Sequence, residues 1–147
     1  MKSEITMKFF DLNVSRKIDA SPEDTFDCWC DPALRREWFP SERMIMNAPV
    51  VDGLFYIAAK GPNDHLYPHY GRFTRVERPR LLEQTWVSEG TRGFETVVTM
   101  TFEPRDGGTE LTLRHTGVPD DKEGRDHEAG WTWVLDEFAR RITERRK

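Results

Sequence analysis

The feature that most constrains this fold is a run of extended segments joined by turns too short to contain a helix. Six segments with the composition of β-strands span residues 44–48, 54–60, 67–76, 81–87, 96–103 and 109–116, and turn-forming residues separate them at 52–53, 61–64, 78–79 and 106–108. Parallel strands need crossover connections of about a dozen residues or more, so these segments must pair as antiparallel strands.

The end of the chain carries a single apolar stripe with the period of an α-helix. Trp131, Val134, Leu135, Phe138 and Ile142 stand at offsets of 0, 3, 4, 7 and 11. This spacing predicts one amphipathic helix over 124–146, packed on the concave face of the sheet. Trp133 falls about 200° around the helix from Trp131 and should lie off the stripe.

Before these strands, the pattern predicts one further strand and two short helices. Apolar and polar residues alternate over 10–18, as a half-buried strand requires. Ser21 and Asp31 each precede a proline, which is the N-cap chemistry of a helix start. The second of these helices should end at Pro40.

These elements define one architecture of the α+β class. We predict a helix-grip fold, in which a curved antiparallel sheet of six or seven strands surrounds a long C-terminal helix, with two short helices after the first strand. The length of 147 residues suits one domain, and we expect residues 1–147 to form it, with 1–9 frayed.

Four stretches of the chain, in this order, resemble one protein family. They are FDCWCDPALRREWFP (26–40), GRFTRVERPRLLEQTW (71–86), GGTELTLRHTGVP (107–119) and HEAGWTWVLDEFARRI (127–142). They are similar to the AHSA-type branch, named for activators of a heat-shock ATPase, of the START/SRPBCC superfamily. Cys30 stands where that family usually has Thr, and the 51–55 hairpin keeps one of its two typical glycines.

The resemblance implies a ligand cavity between the sheet and the last helix. Members of the family bind apolar molecules, process polyketide-like compounds or contact a heat-shock ATPase. Alternation in the strands and the stripe of the helix select the candidate cavity residues, which are Tyr56, Tyr70, Trp86, Val98, Met100, Phe102, Leu113, His115, Trp131, Leu135 and Phe138. The alternative is that these side chains simply fill a solid core.

His115 is the candidate polar group on the inward face, beside Leu111 and Leu113. It could orient a ligand or act as a general base, because imidazole titrates near neutral pH. It could instead be a core histidine with buried hydrogen-bond partners, and this is the commoner case. Replacement by Leu should weaken ligand binding in the first case and lower stability in the second.

Composition and residue spacing argue against several classes of function. The net charge of −4 and the scattered basic residues argue against nucleic-acid binding, and no apolar stretch is long enough for a membrane span. We therefore expect a cytoplasmic protein. His65 and His69, four apart in an extended segment, are too distant to share an ion, so we expect neither a metal nor a cofactor. Cys28 and Cys30 should be free thiols.

The leading hypothesis is a cytoplasmic protein that binds a small apolar or aromatic molecule. The first alternative is a cavity enzyme that uses acid–base chemistry on a cyclic or polyketide-like substrate, for which two nearby groups with opposed pKa shifts would be the sign. The second alternative is a co-chaperone-like interaction module with a role in stress response. We also expect the outer side of the last helix, around Trp133, or a neighbouring strand edge to join a homodimer.

Overall fold

A computed structural model describes residues 7–39, 42–60 and 64–146, with backbone alone for 42–46 and 145–146. The elements are β1 (Phe9–Ile18), α1 (Pro22–Cys30), α2 (Pro32–Trp38), β2 (Glu42–Asn47), β3 (Leu54–Lys60), β4 (Leu66–Glu77), β5 (Leu81–Ser88), β6 (Thr96–Arg105), β7 (Gly108–Pro119) and α3 (Lys122–Arg146), with a 3-10 turn at Glu89–Thr91. Pro40 and most of the predicted turn at 61–64 lie outside the described residues.

The strands form one antiparallel sheet with the order β1-β7-β6-β5-β4-β3-β2. Strands β2 to β7 are neighbours in sequence order, as short connections require, and β1 closes the other edge beside β7. This arrangement confirms the predicted helix-grip architecture.

The helices begin at the residues that the capping chemistry indicates. The Ser21 hydroxyl accepts a hydrogen bond from the Asp24 N–H at 3.1 Å, and the Asp31 carboxylate accepts one from the Ala33 N–H at 2.8 Å. Asp121 caps α3 by accepting from the Gly124 N–H at 2.8 Å. Helix α3 therefore starts two residues earlier than the predicted 124.

The apolar stripe of α3 faces the sheet as predicted. Trp131, Leu135, Phe138 and Ile142 are all buried, whereas Trp133 is 56% exposed. The backbone of α3 lies mainly against β1, with further contacts to β7 and α2. Within the described residues, no helix has both the length and the apolar composition needed to cross a bilayer.

The interior beneath the C-terminal half of α3 is closely packed. Met100, Phe102, Leu113 and Leu135 have no exposed surface. The ring of Phe138 is also fully buried. It contacts the rings of Trp29 in α1, Trp38 in α2 and Phe39 just after α2, at centroid distances of 5.3, 6.3 and 6.0 Å. Edge-to-face and stacked contacts of this kind stabilise the native state beyond the area they bury.

Candidate functional site

A cavity opens between the β3–β5 side of the sheet and the N-terminal half of α3. Its volume is about 660 Å³, within the range of small-molecule sites. The described residues that line it are Arg35, Phe39, Ile57, Ala59, Lys60, Tyr67, His69, Trp86, His127, Gly130, Trp131, Trp133 and Val134.

Strand alternation brings the sheet residues to this cavity. Ile57 and Ala59 share the inward face of β3, and Tyr67 and His69 share the inward face of β4, directly opposite Ala59 and Ile57 in the register. Trp86 contributes the large ring from β5. Since β3 and β4 lie farther along the sheet than the strands that α3 covers, their inward faces are left partly open.

Two indole rings form the inner wall. The centroids of Trp86 and Trp131 are 4.9 Å apart, with the planes tilted by 57°. Trp86 also stacks on Phe55 at 5.3 Å and lies 5.1 Å from the ring of His69. This part of the cavity wall is therefore mainly aromatic.

Arg35 places a positive charge in the wall. It is only 6% exposed, which is uncommon for arginine. The guanidinium lies 4.5 Å from the ring centroid of Trp29 and 5.0 Å from that of Phe39, and it donates to the Trp29 carbonyl at 3.2 Å. These cation–π contacts and the hydrogen bond offset part of the cost of burying the charge.

His115 lies in the core beside the cavity, with both ring nitrogens engaged. The Trp131 indole N–H donates to Nδ1 at 3.0 Å, and Nε2 lies 2.7 Å from the Thr96 hydroxyl. The Thr96 hydroxyl donates in turn to the Trp86 carbonyl at 2.6 Å. Because Nδ1 accepts, the neutral ring must carry its proton on Nε2 and donate it to Thr96.

Burial, with smaller contributions from the charges of His127 and His69, lowers the pKa of His115 to about 3. A ring with this pKa and no unused nitrogen suits a core histidine, not a general base. The geometry thus favours the second of the two roles considered for this residue.

Two other imidazoles border the cavity itself. Burial lowers the pKa of His69 to about 4, with a smaller contribution from His127. Burial also lowers the pKa of His127, whose Nδ1 lies 3.1 Å from the Gly124 carbonyl and therefore carries the proton. Both shifts go in the same direction, which differs from the opposed pair that would indicate an acid–base enzyme.

The candidate residues divide between the cavity and the core. Trp86 and Trp131 line the large cavity, and with Val98 and Met100 they also border a second, internal cavity of about 10 Å³. The remaining inward candidates are buried outside the large cavity, and they are Phe102, Leu113, His115, Leu135 and Phe138.

Tyr56 and Tyr70 do not reach the cavity, contrary to the sequence-based placement. They are paired across β3 and β4 on the outer face, and Tyr70 is 48% exposed. Their inward neighbours are Phe55 and His69. Aromatic residues at adjacent positions made either face of these strands plausible, and the structure assigns the inner face to the other set.

Sequence reasoning missed Arg35, Tyr67 and His127. For His127 a signal was available, because it precedes Trp131 by four residues and so shares its helical face. Tyr67 is an even number of positions from Phe73 in β4, so the two side chains point to the same face of the sheet. Arg35 gave no such signal, since arginine on a short helix is normally exposed.

His65 and His69, the histidine pair considered as metal ligands, lie in different surroundings. His65 is exposed and lies 3.1 Å from the Glu89 carboxylate, while His69 faces the cavity. Among the described residues, no group of three His, Cys, Asp or Glu side chains has an arrangement that could hold an ion. Neither Cys28 nor Cys30 forms a disulfide, and burial raises the pKa of Cys30 to about 12.

The seven-stranded sheet, its long helix and the cavity between them define a helix-grip domain, a fold consistent with ligand binding. The sequence model described as Activator of Hsp90 ATPase homolog 1-like protein matches residues 19–143. The chain therefore belongs to this family, the AHSA-type branch of the START/SRPBCC superfamily. None of the curated proteins matches it.

Solved structures from several bacteria have the same fold. A protein from Chromobacterium violaceum is 17% identical and superposes with a TM-score of 0.78 over 90% of this chain and 96% of its own. One from Rhodobacter sphaeroides is 23% identical, with a TM-score of 0.74 and coverage of 92% and 93%. CalU16 from Micromonospora echinospora is 23% identical, with a TM-score of 0.70 and coverage of 94% and 83%.

Proposed function

We propose that this chain is a cytoplasmic binding protein for a small apolar or aromatic molecule. The ligand occupies the cavity between β3–β5 and α3, with its rings against Trp86 and Trp131. The observation that carries the proposal is the pair of facing indoles in a cavity of about 660 Å³. Burial of apolar surface supplies the affinity, at roughly 25 cal/mol for each Å² removed from water.

The test is a fluorescence titration with N-phenylnaphthylamine, a neutral aromatic probe whose emission rises when it leaves water. We expect a saturable rise with one site per chain. Absence of a saturable rise would contradict the proposal. If the rise is saturable, mass spectrometry of molecules that co-purify with the protein would identify the natural ligand class.

Gly130 allows a variant that fills the cavity without disturbing the fold. This residue lines the cavity from α3, and a Cβ atom added to it would meet no heavy atom within 4 Å. In Gly130→Leu we expect probe affinity to fall about ten-fold or more. Stability should hold or rise, because Gly costs a helix about 1 kcal/mol relative to good helix formers.

The matched control is Ala129→Leu, which adds a similar volume one position along, outside the residues that line the cavity. It should leave the titration unchanged. An equal response of the two variants would mean that the probe binds elsewhere, and the cavity would lose its assigned role.

An interaction module is the second candidate, and one surface feature favours it. Val50, Val51 and Leu54, at the hairpin between β2 and β3, are 61%, 57% and 65% exposed and lie outside the cavity. If this patch docks on an Hsp90-type ATPase, the chain should change the ATPase rate, and Val51→Asp should abolish the change. An unchanged rate would remove this candidate.

A further inference from the structure

His69 is a polar side chain among the aromatic residues of the cavity wall. It lies on the inward face of β4, opposite Ile57 in the register, and it lines the cavity. Its ring centroid is 5.1 Å from that of Trp86, the indole against which we place the ligand. A polar group on a molecule held against Trp86 would therefore lie close to this imidazole.

The ring of His69 is neutral near neutral pH, because burial and, to a smaller extent, the charge of His127 lower its pKa to about 4. A neutral imidazole has one N–H donor and one nitrogen that accepts. An interaction with the Ile57 backbone raises the pKa, as a carbonyl that accepts from the ring N–H does. Among the described residues, no side chain hydrogen-bonds to this half-buried ring. The accepting nitrogen is therefore left for a group that enters the cavity.

His127, the other imidazole of the cavity lining, is placed differently. Its Nδ1 atom carries the proton and lies 3.1 Å from the Gly124 carbonyl, so Nε2 is its accepting nitrogen. A Cβ atom added to Gly90 would lie 2.7 Å from Cε1 of His127 and 3.2 Å from Nε2. This edge of the ring therefore faces the backbone of the 3-10 turn, and His69 is the better acceptor for a molecule in the cavity.

The accepting nitrogen of His69 discriminates between ligands through the cost of leaving it unpaired. A ligand displaces water from the cavity, and a ligand without a donor leaves this nitrogen buried and unsatisfied. A hydroxyl group satisfies it by donating its proton. An ionised carboxylate does not, because it only accepts hydrogen bonds.

Resting on the proposed binding function, we propose that the cavity selects flat phenols, that is, aromatic ring systems with a hydroxyl group that donates to His69. The ring system lies against Trp86 and Trp131. Ethers of similar shape keep the contacts of the ring system but lose the hydrogen bond, and they bind more weakly.

The experiment is a competition against bound N-phenylnaphthylamine by naphthol and by its methyl ether, which share the ring system and the oxygen atom and differ in the hydroxyl proton. We expect the wild-type protein to bind naphthol about ten-fold more tightly than the ether, the usual effect of leaving a buried acceptor unpaired. Equal inhibition constants would overturn the inference while leaving the binding function intact. Failure of N-phenylnaphthylamine to bind would instead contradict the binding function.

Variants then identify the residue responsible, with the ratio of the two inhibition constants as the readout. His69→Phe keeps a ring without an acceptor and should bring the ratio close to one. His69→Gln should restore part of the ratio, because its amide oxygen accepts. His65→Phe makes the same change at an exposed histidine outside the cavity lining and should leave the ratio unchanged.

A ratio that persists in His69→Phe would overturn the assignment, since the ether would then be rejected by its bulk. A ratio lost in His127→Phe and kept in His69→Phe would overturn it too, because the acceptor would then lie on α3. Should His69→Phe fail to fold, the NMR signal of the accepting nitrogen of His69 in the wild-type protein decides the question. It should shift with naphthol and not with the ether, and equal responses would exclude His69.

Discussion

Two regions of the interior use similar aromatic residues with opposite results. In the filled region, around Phe102, Leu113 and Phe138, the C-terminal half of α3 presses on the sheet and leaves no space. In the open region, around Tyr67, His69 and Trp86, the sheet extends past the helix and a cavity remains. Aromatic content alone therefore does not create a binding site. The position of the helix relative to the strands decides which rings pack and which line a cavity.

Deleting a ring in the filled region should have the largest effect. Phe138→Ala removes a fully buried ring with three aromatic neighbours, and we expect the free energy of unfolding to fall by about 3–5 kcal/mol. Val134→Ala, in the lining of the open region, should cost clearly less because its side chain already borders empty space. Denaturant unfolding measures both, and equal losses would contradict the distinction between the regions.

Acid should destabilise the protein through the histidines whose pKa values are lowered by burial. His69 and His115 have native pKa values of about 4 and about 3, below the ordinary 6.5. As the pH falls below about 6.5, the unfolded chain binds protons at these histidines and the native protein does not. The free energy of unfolding therefore decreases. The loss is about 1.4 kcal/mol per pH unit for each histidine, until the native pKa is reached.

Urea midpoints between about pH 7 and about pH 5 measure this loss of stability. His69→Gln should make the midpoint depend less steeply on pH, because one of the three histidines with a lowered pKa is then absent. A midpoint that is constant over this range would show that the two rings are not held neutral in the native protein.

Replacing His115 should distinguish a role in core stability from a role in ligand binding. His115→Leu leaves the Trp131 N–H and the Thr96 hydroxyl without their partner, and we expect a loss of about 1–3 kcal/mol in unfolding free energy. Binding of the neutral aromatic probe should change little. The opposite pattern, with stability kept and affinity lost, would return His115 to the role of orienting a ligand.

The smallest expected effect concerns Trp133, which lines the cavity and also borders a groove between α3 and β1. If this exposed ring joins a homodimer, Trp133→Ser should weaken self-association and leave the unfolding midpoint nearly unchanged. Sedimentation over a range of concentrations measures the association. A wild-type protein that is monomeric throughout would exclude the dimer.

The fold could be predicted because its signals are local. The alternation in β1, the turns between the strands and the stripe from Trp131 to Ile142 each depend on neighbouring residues alone. The same signals predicted that Met100, Leu113 and Phe138 face inward, and these residues are buried, but they do not line the large cavity as proposed from the sequence.

The open region was harder to predict because it depends on relations between distant elements. In β3 and β4, aromatic residues occupy both faces, so parity alone could not separate Tyr56 from Phe55 or Tyr70 from Tyr67. A register shift between Phe73 and Arg75 disturbs the alternation further. The burial of Arg35 depends on rings brought together by the tertiary fold.

The hydrogen-bond chain through His115 joins the two tryptophan residues that line the cavity. It runs from the Trp131 N–H through the imidazole and Thr96 to the Trp86 carbonyl, and every donor in it has one direction. The helix wall and the sheet wall are thus coupled by a neutral ring inside the core. The positions of the two rings are therefore fixed before a molecule enters the cavity, so binding against them would cost little conformational entropy.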